Sequence, residues 1–170
     1  MKRFCAELLL LALTLSACAG APEAADVQES PFTWSISVSK AEKREALHTD
    51  AGVQQYDGSI LGVAYDEQPS DGCVFVILTM TVTKNRSGAN AFRWENLTLT
   101  SADGTAYARM EDDSFLSLHT YRRMPATDLM IGENKGSICF ELPEAQASSE
   151  PLTLRYDAGD EGIIQQEITF

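Results

Sequence analysis

Cys73-Val74-Phe75-Val76-Ile77-Leu78-Thr79-Met80-Thr81-Val82-Thr83-Lys84 decides the fold class. Val74, Val76, Leu78, Met80 and Val82 share one parity and Thr79, Thr81 and Thr83 the other. A period of two with one apolar row is the mark of a strand. Phe75 and Ile77 break the alternation near the start, so both faces are expected to be covered there.

The same period recurs on either side of this stretch. Upstream, Phe32, Trp34, Ile36 and Val38 alternate with Thr33, Ser35, Ser37 and Ser39. Lys40 to Leu47 reads equally as a continuation of that strand or as a short helix, and Leu61, Val63 and Tyr65 suggest another short strand after a polar loop. Downstream, Asn85-Arg86-Ser87-Gly88 is a turn, and Leu97 and Leu99 alternate with Thr98 and Thr100. Asp103-Gly104 then predicts a tight hairpin with a type I′ turn, because this pair tolerates positive φ. Residues 111–130 are expected to hold one short strand and a loop.

Beyond Gly132-Glu133-Asn134-Lys135-Gly136 the rows recover as Ile138, Phe140 and Leu142, then Leu152, Leu154 and Tyr156, then Ile164, Ile168 and Phe170. Gln166 is the odd polar residue on the last row. Seven or more short strands divided by Gly, Pro, Asn and Asp turns, with no convincing long helix, point to an antiparallel β-sandwich.

The amino terminus carries a different signal. Lys2-Arg3 precedes the apolar run Leu8-Leu9-Leu10-Leu11-Ala12-Leu13-Thr14-Leu15, which ends in Ser16-Ala17-Cys18. A charged start, a short apolar run and small residues form an export signal, and the run falls short of the roughly 20 residues needed to span a bilayer. Leu15-Ser16-Ala17-Cys18 resembles the bacterial lipobox, which implies cleavage between Ala17 and Cys18 and a diacylglyceryl group on the Cys18 thiol. The expected organisation is therefore a signal peptide (residues 1–17), a lipidated cysteine with a flexible spacer poor in large apolar residues (18–30), and one β-sandwich domain (31–170). Two acyl chains make a durable tether at about 0.8 kcal/mol per buried methylene. The expected location is the outer side of the cytoplasmic membrane, lipid-anchored and not embedded.

The full chain has a formal net charge of −12, and loss of Lys2, Arg3 and Glu7 with the signal peptide moves it to −13. So acidic a body excludes nucleic acid as a partner on electrostatic grounds. It is also repelled by an anionic bilayer, which leaves attachment to the lipid.

Phe75 through Asn85, Leu97 through Tyr107, and Gly132-Glu133 through Phe140-Glu141-Leu142-Pro143 together resemble the telokin-like, immunoglobulin-like domain of unknown function found in lipoproteins of mostly Gram-positive bacteria. The resemblance covers about residues 73–170. Ile131 stands where that family often has proline, and segment 40–72 lies outside the match. The resemblance implies a seven-stranded immunoglobulin-like sandwich and brings no catalytic residue with it.

The inventory of chemistry is short. Cys73 and Cys139 are a possible pair in an exported, disulfide-permissive setting. Each falls on the parity opposite the apolar rows, which argues against an inter-sheet bridge of the antibody type. Two free thiols are the favoured state, with a bridge on the outer face as the alternative. His48 and His119 have no metal-ligand spacing. Glu111-Asp112-Asp113 and Asp157 to Gly162 offer oxygens but not the spacing of an EF-hand loop. No nucleophile elbow or phosphate-cradling glycine loop is present, so neither catalysis nor a cofactor or metal is expected.

Tyr121-Arg122-Arg123 is the densest basic and aromatic group in the mature chain, of a composition enriched at interface hot spots. It is the candidate partner surface; the competing reading pairs these arginines with Glu111, Asp112 and Asp113. The function expected is a lipid-anchored extracytoplasmic binding module for an unknown protein or cell-wall partner. The alternatives are a structural or accessory component of an envelope complex and a hydrolase with an unrecognised site.

Overall fold

The computed structural model describes residues 32–87, 91–125, 127, 129–149 and 151–170. The export signal, Ala17, Cys18 and the spacer lie outside the described residues. Among the described residues nine strands form, all in antiparallel pairs: β1 (Trp34–Arg44), β2 (Leu47–Gln54), β3 (Ile60–Glu67), β4 (Cys73–Lys84), β5 (Leu97–Thr100), β6 (Ala106–Ala108), β7 (Gly132–Pro143), β8 (Leu152–Asp157) and β9 (Ile163–Ile168). A short helix, α1 (Glu144–Ser148), follows β7. Among the described residues no helix is long and apolar enough to cross a membrane.

Seven strands make the sandwich. Sheet β1-β4-β7 faces sheet β6-β5-β8-β9. The chain changes sheet after β4, β6 and β7, which is the Greek-key order of an immunoglobulin-like fold. Val74, Val76, Leu78, Met80 and Val82 of β4 and Ile138, Phe140 and Leu142 of β7 point inward and pack against Leu97, Leu99, Leu152, Leu154, Tyr156 and Ile168 of the second sheet. Most of these side chains are inaccessible to solvent, and each contributes about 1.5–3 kcal/mol by leaving water.

The remaining two strands are an insertion. β2 and β3 pair only with each other and lie between β1 and β4 in sequence, where the loop before Leu61 was expected to be polar and irregular. The hairpin leaves Val53, Tyr56, Ile60 and Leu61 exposed towards its tip.

The outer face of the first sheet is also buried near its start. Phe75, Ile77 and Cys139 pack with Leu47, Phe115 and Leu116, and Met110 and Tyr121 border this second core. Segment 111–130 holds no regular strand among its described residues. Ser114–His119 is a 3₁₀ turn that lays Phe115 and Leu116 on the sheet, and the Phe115 ring packs at a tilt on Phe75, centroids 5.3 Å apart. The expected strand fails because the apolar residues here cap a face and do not alternate between two.

Two local expectations are refined by backbone geometry. Ser101 and Thr105 close the β5–β6 hairpin, the Gly104 N–H donates to the Ser101 carbonyl (2.9 Å), and only Gly104 of the loop has positive φ (89°). That is a three-residue loop with a glycine bulge, not a type I′ turn. Gln166, the odd residue on its row, uses its amide as a stand-in for a strand: its Oε1 accepts the Val38 N–H (2.9 Å), joining the two sheets along their shared edge.

Candidate binding groove

Lys40 to Arg44 resolves as strand, with a register break between Val38 and Lys40 in the pairing of β1 with β4. Such a bulge inserts one residue and re-aims the side chains beyond it. Ile36 and Val38 face the sandwich core before Ser39, whereas Ala41 faces it afterwards. Lys40, Glu42 and Arg44 are thereby turned onto the outer face. Ambiguity at the level of sequence had this cause, since the helical and strand readings both missed a change of parity.

Those three side chains form one wall of an open groove of about 370 Å³. Its floor is Thr79 and Ser137, opposite each other on β4 and β7, with their hydroxyl oxygens 3.0 Å apart. Thr120, Tyr121 and Arg122 make the other wall. Thr120 ends the 3₁₀ turn at φ 67°, the one non-glycine residue with positive φ among those described. This left-handed residue stops the turn and sends the chain back across the sheet.

The returning segment is held by backbone. The Ser137 N–H donates to the Arg122 carbonyl (2.6 Å) and the Met124 N–H donates to the Ser137 carbonyl (2.9 Å). A Cβ on Gly136 would stand 2.6 Å from the Met124 Cα, so only glycine permits this approach.

The two arginines of the candidate surface part company here. Arg123 turns inward and ion-pairs with Asp113, a fully buried carboxylate that also receives Arg109 Nε (3.1 Å) and Nη2 (2.8 Å). The Arg109 guanidinium lies 4.3 Å from the centre of the Trp94 ring. Arg122 is exposed, and no ion pair or hydrogen bond joins its guanidinium to another described residue. Tyr121 is half-buried against the second core and touches Arg44.

Glu42 bridges Lys40 Nζ (2.9 Å) and the Arg44 guanidinium. Partial burial works to raise its carboxyl pKa, but the hydrogen bonds and charges of Lys40 and Arg44 more than offset this and hold it below its ordinary value. The Arg44 pKa is raised, first by Glu42 and then by Tyr121. The groove thus gathers three cations against one carboxylate in a chain of net charge −12. Lys40, Arg44, Thr79 and Ser137 were not singled out from sequence. A signal for the first two existed in Lys40-Ala41-Glu42-Lys43-Arg44, a basic cluster in an acidic chain.

The other candidate residues lie elsewhere. Cys139 is buried in the second core and Cys73 is half-exposed; both are free thiols. They stand opposite Ile77 and Pro143 respectively, four positions apart along β4, or about 13 Å at the usual strand rise. A disulfide requires Cα atoms within about 7 Å, so this register rules out the alternative of an outer-face bridge. His48 is exposed on the hairpin between Asp66 (2.6 Å) and Asp50 (3.4 Å), and the buried His119 bonds Thr49 Oγ1 (2.9 Å).

Most acidic side chains of the two stretches are committed to internal bonds. Asp112 accepts the N–H and hydroxyl of Ser114, Asp157 accepts the Gly159 N–H, and Glu161 accepts the N–H and hydroxyl of Thr33. Among the described residues no group of three or more His, Cys, Asp and Glu is arranged to hold a metal ion.

No family model matches the chain, and no curated protein matches it. A crystal structure of an uncharacterized β-sandwich protein from Clostridium difficile 630 is similar, at 13% identity and a TM-score of 0.44, over 81% of this chain and 86% of that one. The chain is an antiparallel, immunoglobulin-like β-sandwich on the evidence of its own strand order and core.

Proposed function

We propose that this protein is a lipid-anchored, extracytoplasmic binding module whose recognition surface is the groove between β1 and the Thr120–Arg122 segment. Arg122 carries this reading: a guanidinium with no partner among the described residues, held by backbone on a rigid sheet. Rigid elements that present an unpaired, multidentate donor suit recognition better than bond making. The anchor rests on Leu15-Ser16-Ala17-Cys18. β1 enters at Trp34, and the groove begins six residues along it, about 20 Å away, so a tether at that end leaves the groove open to its surroundings.

An accessory role in an envelope complex is the second reading, favoured by the hairpin. Tyr56 in the hairpin turn is fully exposed and Ile60 at the start of β3 is 75% exposed, on a hairpin whose strands pair only with each other. Exposed apolar side chains grouped in this way mark contact surfaces.

Labelled palmitate tests the anchor. It should enter the wild-type product in the producing cell and fail to enter Cys18→Ser; equal labelling, or none in the wild type, removes it. Protease added to intact cells should digest the domain if it lies outside the cytoplasmic membrane.

A further inference from the structure

The groove's donors converge from three sides. Lys40 and Arg44 stand on β1, Arg122 stands opposite, and the Thr79 and Ser137 hydroxyls lie beneath. Glu42 is the one carboxylate of the lining; it holds Lys40 and Arg44 in place while leaving a net surplus of positive charge.

A planar carboxylate is satisfied by a single guanidinium fork, whereas donors spread over two walls and a floor suit an anion with oxygens in several directions. The surrounding acidic surface repels anions generally, so the local field makes this groove the favourable place for one. We infer that the groove is a binding site for a phosphate group, with Arg122 as the main anchor and Lys40, Arg44, Thr79 and Ser137 completing its hydrogen bonds. This inference gives a ligand class to the recognition surface proposed above and rests on that reading.

The phosphate belongs either to a monoester-type dianion or to a diester, the form found in lipid headgroups and phosphodiester polymers. The two negative charges of a dianion, spread over three oxygens, match the surplus of two positive charges best, but both forms share the chemistry that the lining recognises.

Backbone amide NMR of the full chain in detergent micelles, titrated with inorganic phosphate and separately with dimethyl phosphate at constant ionic strength, tests the assignment. Amides of Lys40, Thr79, Tyr121, Arg122 and Ser137 should shift saturably with at least one of the two, and the tighter probe names the source. Arg122→Gln should weaken that binding about tenfold, the scale of one lost charge-assisted hydrogen-bond pair. Arg86→Gln removes the same charge from the β4–β5 turn and should leave binding unchanged. The phosphate assignment is overturned by shifts that do not saturate, by equal weakening in both variants, or by acetate binding as tightly. Arg122 is exposed, so its replacement should leave the melting temperature unchanged and keep any loss of binding interpretable. Palmitate labelling is independent of these titrations, so loss of the anchor and loss of the phosphate site are separately visible.

Discussion

Gly136 and Met124 are in backbone contact: the hydrogen-side of the glycine faces the Met124 Cα and N, where a Cβ would lie at 2.6 and 2.7 Å. The approach lets Arg122 and Met124 bracket Ser137 with two backbone hydrogen bonds and fixes Arg122 at the groove. Gly136→Ala must push two backbones apart and is expected to cost about 1–3 kcal/mol, the range for forced overpacking. Gly62→Ala, where a Cβ meets nothing within 4 Å, should be nearly neutral. Urea unfolding of both variants checks the pair, and equal stability would show that the 122–124 segment is not packed as described.

Asp113 is the next point of control. Its carboxylate is wholly buried and takes Arg109 on one oxygen and Arg123 on the other. Removing one member of a buried charge group leaves the rest uncompensated, so Asp113→Ala is expected to lose about 3 kcal/mol. Arg123→Ala should lose less, because Arg109 still meets the carboxylate and Arg123 is partly exposed. Comparable losses in the two variants would show that Arg109 does not carry the carboxylate alone. Denaturant midpoints with unchanged slopes make the comparison valid.

The sandwich was legible because its strands bury one face each. The row from Val74 to Val82 and the row from Ile138 to Leu142 meet the same core, and alternation records that directly. The groove was not legible, for two physical reasons. The bulge at Ser39 exchanges the faces of β1 midway, so Lys40, Glu42 and Arg44, which a strict period of two assigns to the core, fall on the outer face. The second reason is distance along the chain: the cover over Phe75 and Ile77 comes from Leu47, Phe115 and Leu116, contacts that no local pattern encodes. Tyr121-Arg122-Arg123 was visible as composition, but its division into a buried pair-former and an exposed donor depends on Asp113 lying ten residues back.

His48 gives the hairpin a dependence on pH. Hydrogen bonds first to Asp66 and then to Asp50 raise its pKa above the ordinary 6.5. The folded hairpin therefore holds the proton more tightly than the unfolded chain. The resulting stabilisation is complete below pH 6.5 and is lost as pH rises through the higher folded value. The imidazole is exposed, so the effect is local and weakened by salt. Proton NMR of the imidazole should give a midpoint above 6.5 that falls towards it in Asp66→Asn. A wild-type midpoint at or below 6.5 would break the cross-strand pairing of His48 with Asp66.

Cys73 and Cys139 differ in access more than in chemistry. Cys139 is fully enclosed by the second core, and burial, then the charges of Asp113, Glu141 and Glu67, push its thiol pKa up. The thiolate is the reacting form, so a raised pKa and enclosure both suppress attack. Cys73 is half-exposed at the start of β4. A water-soluble maleimide should therefore modify Cys73 in the folded protein within minutes and reach Cys139 only as the domain unfolds. Mass spectrometry of digests from a denaturant series reads the two sites separately. Labelling of Cys139 should track global unfolding, because it lies between β4 and the Phe115–Leu116 cover, where opening requires the second core to come apart. Labelling well below the unfolding midpoint would mean that this cover lifts on its own, and Tyr121 and the groove wall would lift with it.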